Sequence, residues 1–234
     1  MKLGDIKIEL VQKNIKNVHL SVLPPYGDVR IAAPLHVSEE TIRLYAISKL
    51  PWIKQQQKKI RNQERESRRE FINKETHYYQ GRKYLLRIFE RNEPAKVIIN
   101  KKHLDLYVRP HTNTLQRQHI LNKWYRNEMK ELIPSYIKKW EKVMPVKVDD
   151  FGIKSMKTKW GTCNIDAKRI WLNLELAKKP LQCLEYIIVH EMVHLLERRH
   201  NDRFIWYLNK FMPQWKNYRE ELNRLPISHL DWEY

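Results

Sequence analysis

The chain has 234 residues, 42% of them hydrophobic and including eight Trp and twelve Tyr, enough apolar material for a packed core and too much for a disordered chain. Its five glycines are too sparse to suggest nucleotide-binding glycine loops, and its formal net charge of +18 favours polyanions over polycations as partners. With only Cys163 and Cys183 there is no disulfide framework, which fits a reducing, cytoplasmic setting; no apolar run reaches the roughly 18 residues of a membrane span, and no basic-then-apolar leader opens the chain, so neither a membrane anchor nor a signal peptide is expected. The positive excess is spread along the chain without a nucleic-acid-reading motif. A solvated surface is the plainer reading, with nucleic acid kept as a partner through that basic surface.

Residues 5–33 alternate with period two: Ile6, Ile8 and Leu10, then Val18, Leu20 and Val22, then Val29 and Ile31. With "PPYGD" as a turn, this pattern predicts an antiparallel β meander. Ser38, followed by Glu39 and Glu40, caps a first helix, and Pro51 opens a second, "PWIKQQQKKIRNQERESRRE". Past Ile60 that helix loses its apolar face and reads as a mixed-charge connector rather than a nucleic-acid stripe. A second strand group follows, with Tyr84, Leu86 and Ile88, then Val97 and Ile99, then Leu104, Leu106 and Val108, and "NKKH" as a turn.

From Thr114 to about Val143 the spacing of Leu121, Trp124, Tyr125, Met129, Leu132, Ile133, Tyr136, Ile137 and Trp140 predicts an amphipathic helix. Three-and-four spacing serves packing, so these aromatics read as core rather than as a cofactor box. Pro134 is expected to kink or split the helix. "VKVDDFGIKSMKTKWGTCN" then reads as strand and loop, "RIWLNLEL" as a strand over 169–176, and Pro180 announces another helix. No internal repeat is visible. The order of elements predicts an α+β chain, β-rich at the front and mostly helical in its last third.

"HEMVHLLERRH" (190–200) carries the chemistry. On a helix over 184–196, His190 and His194 lie about 40° apart, so both imidazoles reach one ion, and Glu191 falls about 60° beyond His194, beside that ion. A carboxylate there accepts a proton from metal-bound water, its job in the H-E-x-x-H arrangement. Leu184, Ile188, Met192, Leu195, Val189, Leu196, Ile187 and Val193 make the helix apolar nearly all round. Such a helix belongs in a core, where polar side chains are costly unless paired or metal-bound. Catalytic zinc normally takes three protein ligands. His200 leads as the third, provided the chain turns within 197–199; Glu197, Asp202, Glu220 and Glu221 are the other candidates. The metzincin pattern is not met, because Glu197 stands where that family needs glycine.

Three stretches resemble the YgjP-like metallopeptidases, a family related to the SprT and WLM proteases among the zincins. "LPWIKQQQ" is similar to the family's tryptophan-bearing helix start. "KTKWGTCN" with "WLNLELAKKP" is similar to its tryptophan-glycine-serine-cysteine-serine loop and strand. "HEMVHLLERRHNDRFIWYL" resembles its histidine motif, third histidine and following helix. Thr162, Asn164 and Asn201 replace serines, small polar swaps that preserve a turn or cap. The resemblance implies Zn2+ held by His190, His194 and His200 with Glu191 as catalytic base. The order of elements divides the chain into a β-rich subdomain with helical connector (1–75) and a mixed α/β domain (76–234), expected to be a zincin-like catalytic domain with the zinc-binding helix near its C-terminal end.

Trp160 and Gly161 have a reading of their own: a rigid apolar plate beside a glycine that admits close backbone approach, suited to binding substrate. In zincins an edge strand passing the metal pairs with the substrate backbone, and "RIWLNLEL" is a candidate for that edge. Cys163 as a nucleophile is disfavoured beside a zinc site. The expected activity is therefore zinc-dependent hydrolysis of protein or peptide substrates, the zinc activating water and Glu191 moving its proton. Rival readings are a nucleic-acid-binding protein with a structural or vestigial metal site, a protease acting on DNA-bound proteins by analogy with SprT relatives, and hydrolysis of a non-peptide amide.

Overall fold

A computed structural model describes residues 1–23, 26–62, 69–156 and 159–225. Two compact units partition the chain, a smaller one within residues 1–67 and a larger one over 68–225. The larger unit begins at residue 68, and Phe71 packs in its core. Glu75 also folds the preceding segment back, accepting from the N–H groups of Glu70 (2.9 Å) and Phe71 (3.0 Å).

In the smaller unit β1 (Lys2–Leu3), β2 (Ile6–Lys13), β3 (His19–Leu23) and β4 (Asp28–Pro34) form one sheet in the order β1-β2-β4-β3. The expected antiparallel meander is corrected here: β2 runs parallel to β4, and β3 is antiparallel on the outer side of β4. Residues 14–18 carry the chain across instead of making a tight hairpin, which period-two alternation cannot reveal because it fixes a strand's face and not its neighbour. Ser38 caps α1 (Glu39–Ser48), its Oγ accepting from the Thr41 N–H at 3.2 Å. α2 (Leu50–Asn62) follows, and Ile8, Val29, Ile31, Ile42, Ala46 and Ile53 meet in this unit's core. The charged continuation of α2 falls largely on residues 63–68, outside the described ones, and residues 69–70 are not helical.

The larger unit opens with β5 (Thr76–Tyr79), β6 (Arg82–Glu90), β7 (Lys96–Asn100) and β8 (His103–Val108), in the order β5-β6-β8-β7. β6 is parallel to β8, while β5 and β7 are antiparallel to their neighbours. This is the topology of the first sheet, and both are followed by a capped helix. The chain therefore does contain a structural repeat, one that leaves no visible sequence period.

The helix after the second sheet, α3 (Thr114–Glu141), starts with a reciprocal cap between Asn113 and Gln116 and runs through Pro134 as one element. Leu121, Tyr125, Met129, Ile133, Ile137 and Trp140 are buried along it, as a packing face requires. A three-stranded sheet, β10-β11-β9, comprises β9 (Asp150–Lys154), β10 (Gly161–Asn164) and β11 (Arg169–Asn173). A short 3-10 segment (Leu174–Lys178) leads into α4 (Leu181–Val193), then α5 (Asp202–Phe211) and α6 (Trp215–Arg224). The overall class is α+β. No helix among the described residues is long and apolar enough to cross a membrane.

One buried polar pair in the larger core has a pH signature. His77 is 4% exposed, and its Nε2 lies 2.8 Å from Glu75 Oε2. Burial first, then the charge of Arg69, pushes its pKa down from 6.5 to about 4 against the raising effect of Glu75. The contact has ion-pair geometry, yet the imidazole is neutral at pH 7 and donates to the carboxylate. Between pH 6.5 and 4 the unfolded chain protonates this imidazole and the folded one does not, so stability falls as pH is lowered through that window, by about 3 kcal/mol at most for His77. Denaturant titrations across the window should show that decline and a shallower one in His77→Gln. Equal slopes would mean that His77 does not contribute.

Candidate metal centre

α4 packs against α3, α5, α6, β10 and β11. Cys183, Leu184, Tyr186, Ile187, Ile188, Val189, Met192 and Val193 are buried along it. Polar groups in its last turn therefore sit at the edge of a core. His190 lies there, and His194 is the C-cap, with ring centroids 5.2 Å apart.

The helix ends earlier than the predicted 196. Leu195 and Leu196 donate to Met192 O (3.1 Å) and Val193 O (2.9 Å) in a tightened last turn, and the Glu197 N–H makes the last helical bond to Val193 O (2.9 Å). The chain then comes back so that His200 meets His190. Asn201 then caps α5, accepting from the Phe204 N–H at 3.0 Å. The Phe204 ring supports all three imidazoles, at 4.9 Å from His190, 4.7 Å from His194 and 4.6 Å from His200. His200 Nε2 lies 3.0 Å from His190 Nε2. Ligand atoms of His190, His194 and His200 all fall within 4.8 Å of one another, a cluster that could hold a metal ion.

The donor chemistry fits such an ion. His194 Nδ1 lies 3.2 Å from the Glu197 carbonyl oxygen, so Nδ1 carries the proton and donates, leaving the Nε2 lone pair free. Burial, then His194 and His200, depresses the His190 pKa to about 3, and burial lowers that of His194. Both rings are neutral near pH 7 and able to coordinate. Three imidazole nitrogens suit a borderline divalent cation better than calcium or magnesium, which prefer oxygen. The alternative carboxylates are engaged elsewhere: Glu197 accepts from the Arg199 N–H (3.1 Å), and Glu221 from Gln182 Nε2 (3.2 Å). Asp202 and Glu220 do not join the cluster.

Glu191 lines the same cleft of about 520 Å³ but is only 4% exposed. Burial raises its pKa to about 8, with Lys159 pulling the other way. Gly161, at the start of β10, explains how the strand passes so close. A Cβ built there would sit 2.6 Å from Glu191 Oε1 and 2.8 Å from its Cγ. Glycine is needed for space, not for an unusual backbone angle. Trp160 lines the cleft beside it, with Lys179 Nζ 5.8 Å from its ring centre. Lys159, Arg198 and Arg219 also line the cleft, and Glu191 is the one carboxylate among its described lining residues.

The expected edge strand is corrected. "RIWLNLEL" is central, hydrogen-bonded on both sides, and its last residues turn into the 3-10 segment; β10, from "KTKWGTCN", is the edge. Asn173 was not singled out in the sequence, although an amide inside an apolar strand is a usable signal. It is 4% exposed, and its Nδ2 donates to Met156 O and Lys159 O, each at 2.8 Å, tying down the segment that leads into Trp160 and Gly161. Cys163 is a protonated thiol, its pKa raised to about 11 by burial and by Glu191, as disfavouring a nucleophilic role requires.

Fold and site together define a mixed α/β protein with a three-imidazole cluster that could hold a metal ion at the end of a core helix and a buried carboxylate alongside. Residues 16–225 match the model of the YgjP-like metallopeptidase domain, and the chain belongs to that family. No curated protein matches it. Substituting Gly161→Ala should push the Glu191 carboxylate aside at a cost of about 1–3 kcal/mol in stability. Metal content should persist, since the imidazoles are untouched, while peptidase activity drops; metal analysis beside a casein assay checks both, and full activity would show that β10 has room to spare.

Proposed function

We propose that the chain is a zinc-dependent peptidase in which His190, His194 and His200 hold the ion and Glu191 is the general base. The observation that carries this reading is the meeting of three imidazole donors within 4.8 Å beside a buried carboxylate. When bound, zinc supplies Lewis acidity, lowering the pKa of water and polarising a carbonyl. Glu191 accepts the proton of the attacking water and returns it to the leaving nitrogen. A buried carboxylate suits both halves of that transfer, because desolvation strengthens it as a base while a cation beside it would keep it ionised until it takes the proton. The Glu197 carbonyl holds the His194 ring in the tautomer that leaves Nε2 free.

Substrate recognition is assigned to β10 and the residue before it. An edge strand carries a row of backbone groups that an extended peptide can pair with. Trp160 offers an apolar wall, and the close approach of Gly161 sets the strand directly against the general base. Asn173 positions this strand without touching substrate.

Glu191→Gln should retain one zinc per chain and lose activity by roughly 10²–10⁴-fold, the usual worth of a positioned acid–base group. Metal analysis with a casein assay is the test, and a variant that cuts as well as wild type would remove Glu191 from the mechanism. His200→Ala should weaken zinc affinity by more than the roughly 10–100-fold that loss of an outer-shell partner causes. Competition against a fluorescent chelator measures this, and an unchanged affinity would mean that the third ligand lies elsewhere.

A further inference from the structure

Register separates the two faces of the sheet β5-β6-β8-β7. Leu86, Leu104, Leu106 and Val108 point into the core. On the opposite face Phe89 pairs with Tyr107, Arg87 with Asp105, and Lys96 with Tyr107. The rings of Phe89 and Tyr107 are stacked, with centroids 5.1 Å apart and planes at 20°. Arg91 lies 4.9 Å and Lys96 5.0 Å from the centre of the Tyr107 ring, and Arg87 lies 5.6 Å from that of Phe89. Farther along the same face Tyr78 pairs with Lys83, whose Nζ is 6.0 Å from its ring centre.

Leu85 and Ile98, also on this face, are 41% and 43% exposed, and the Phe89 and Tyr107 rings are half-buried, while Asp105 is buried. Asp105 is the carboxylate that the strand register puts here, and Arg87 matches it through two bonds of 2.6 and 2.7 Å. Lys83, Arg91 and Lys96 have no carboxylate partner among the described residues. The face thus presents aromatic rings flanked by cations without carboxylate partners on a β-sheet support.

We propose that this face binds single-stranded nucleic acid. Unpaired bases stack on aromatic rings while phosphates, at intervals along the strand, meet lysine and arginine. A neutral or basic peptide would leave Lys83, Arg91 and Lys96 unmatched, and a duplex keeps its bases stacked on one another and away from Tyr107. The net charge of +18 draws polyanions toward the chain in general; the stacked pair makes this face the place where they are held. The assignment does not depend on the histidine cluster or on peptidase activity.

Fluorescence anisotropy of the full chain with labelled oligothymidine, oligouridine and a duplex of the same length is the test. Single strands should bind more tightly than duplex, with a log–log salt slope of roughly −2 for three cations. The two single-stranded probes separate DNA from RNA as the source. Tyr107→Leu should weaken binding roughly tenfold through lost stacking, while Tyr107→Phe keeps it. Arg91→Gln with Lys96→Gln should flatten the salt slope by about 1.4. This pair sits at the exposed rim and decides the matter if Tyr107→Leu proves unstable to heat. Duplex binding equal to single-strand binding overturns the proposal. So does a folded Tyr107→Leu variant that binds like wild type, or an equal loss from removing two α3 lysines (Lys123→Gln with Lys130→Gln).

Discussion

The candidate metal site depends on one stop signal: α4 ends at Val193. Had the helix continued, His200 would lie about 240° around it from His194 and face away from any shared ion. Instead the last turn tightens to i→i+3 bonds, the chain leaves the helical path after Glu197, and it doubles back. His200 then arrives with its Nε2 3.0 Å from that of His190. The turn is held from its far side by the Asn201 cap of α5, and the first turn of that helix delivers Phe204 beneath all three rings. Helix stop, cap and aromatic support form one device, and each part positions the next.

Burial works in opposite directions on the two kinds of polar group gathered there. It lowers the pKa of His190 and His194, which keeps both rings neutral near pH 7, and it raises that of Glu191. Desolvation alone would be costly in a core. Structure around the carboxylate shows how closely the cost was accepted, since β10 approaches so near that only a residue without Cβ fits at Gly161. Asn173 keeps the segment before that strand in register through bonds to two carbonyls. The same close packing that strains Glu191's solvation makes it part of the cleft wall.

The two four-stranded sheets share a topology but not a surface. Each pairs its second and fourth strands in parallel, and each places an ion pair across that junction, Glu9 with Arg30 in the first and Arg87 with Asp105 in the second. Only the second adds the stacked Phe89 and Tyr107 beside further cations. Repetition of a backbone plan therefore leaves the open face of each copy free to differ while the core is retained.

The local features were legible in the residue order. Period-two and three-and-four spacings marked the strands and α3, Ser38 and Asn201 announced helix starts, and the spacing of His190, Glu191 and His194 fits one helical face whatever surrounds it, because these signals act over a few residues. Strand neighbours were not legible: the parallel β2–β4 and β6–β8 pairings, the central place of β11 and the repeated sheet plan depend on how connections close over long separations. The return of His200 and the space that Gly161 leaves for Glu191 were likewise decided by tertiary packing, for they concern distances between elements that no periodicity encodes. Alternation tells which side of a strand is apolar. Only the assembled sheet tells which strand lies beside it and which rings stack on its open face.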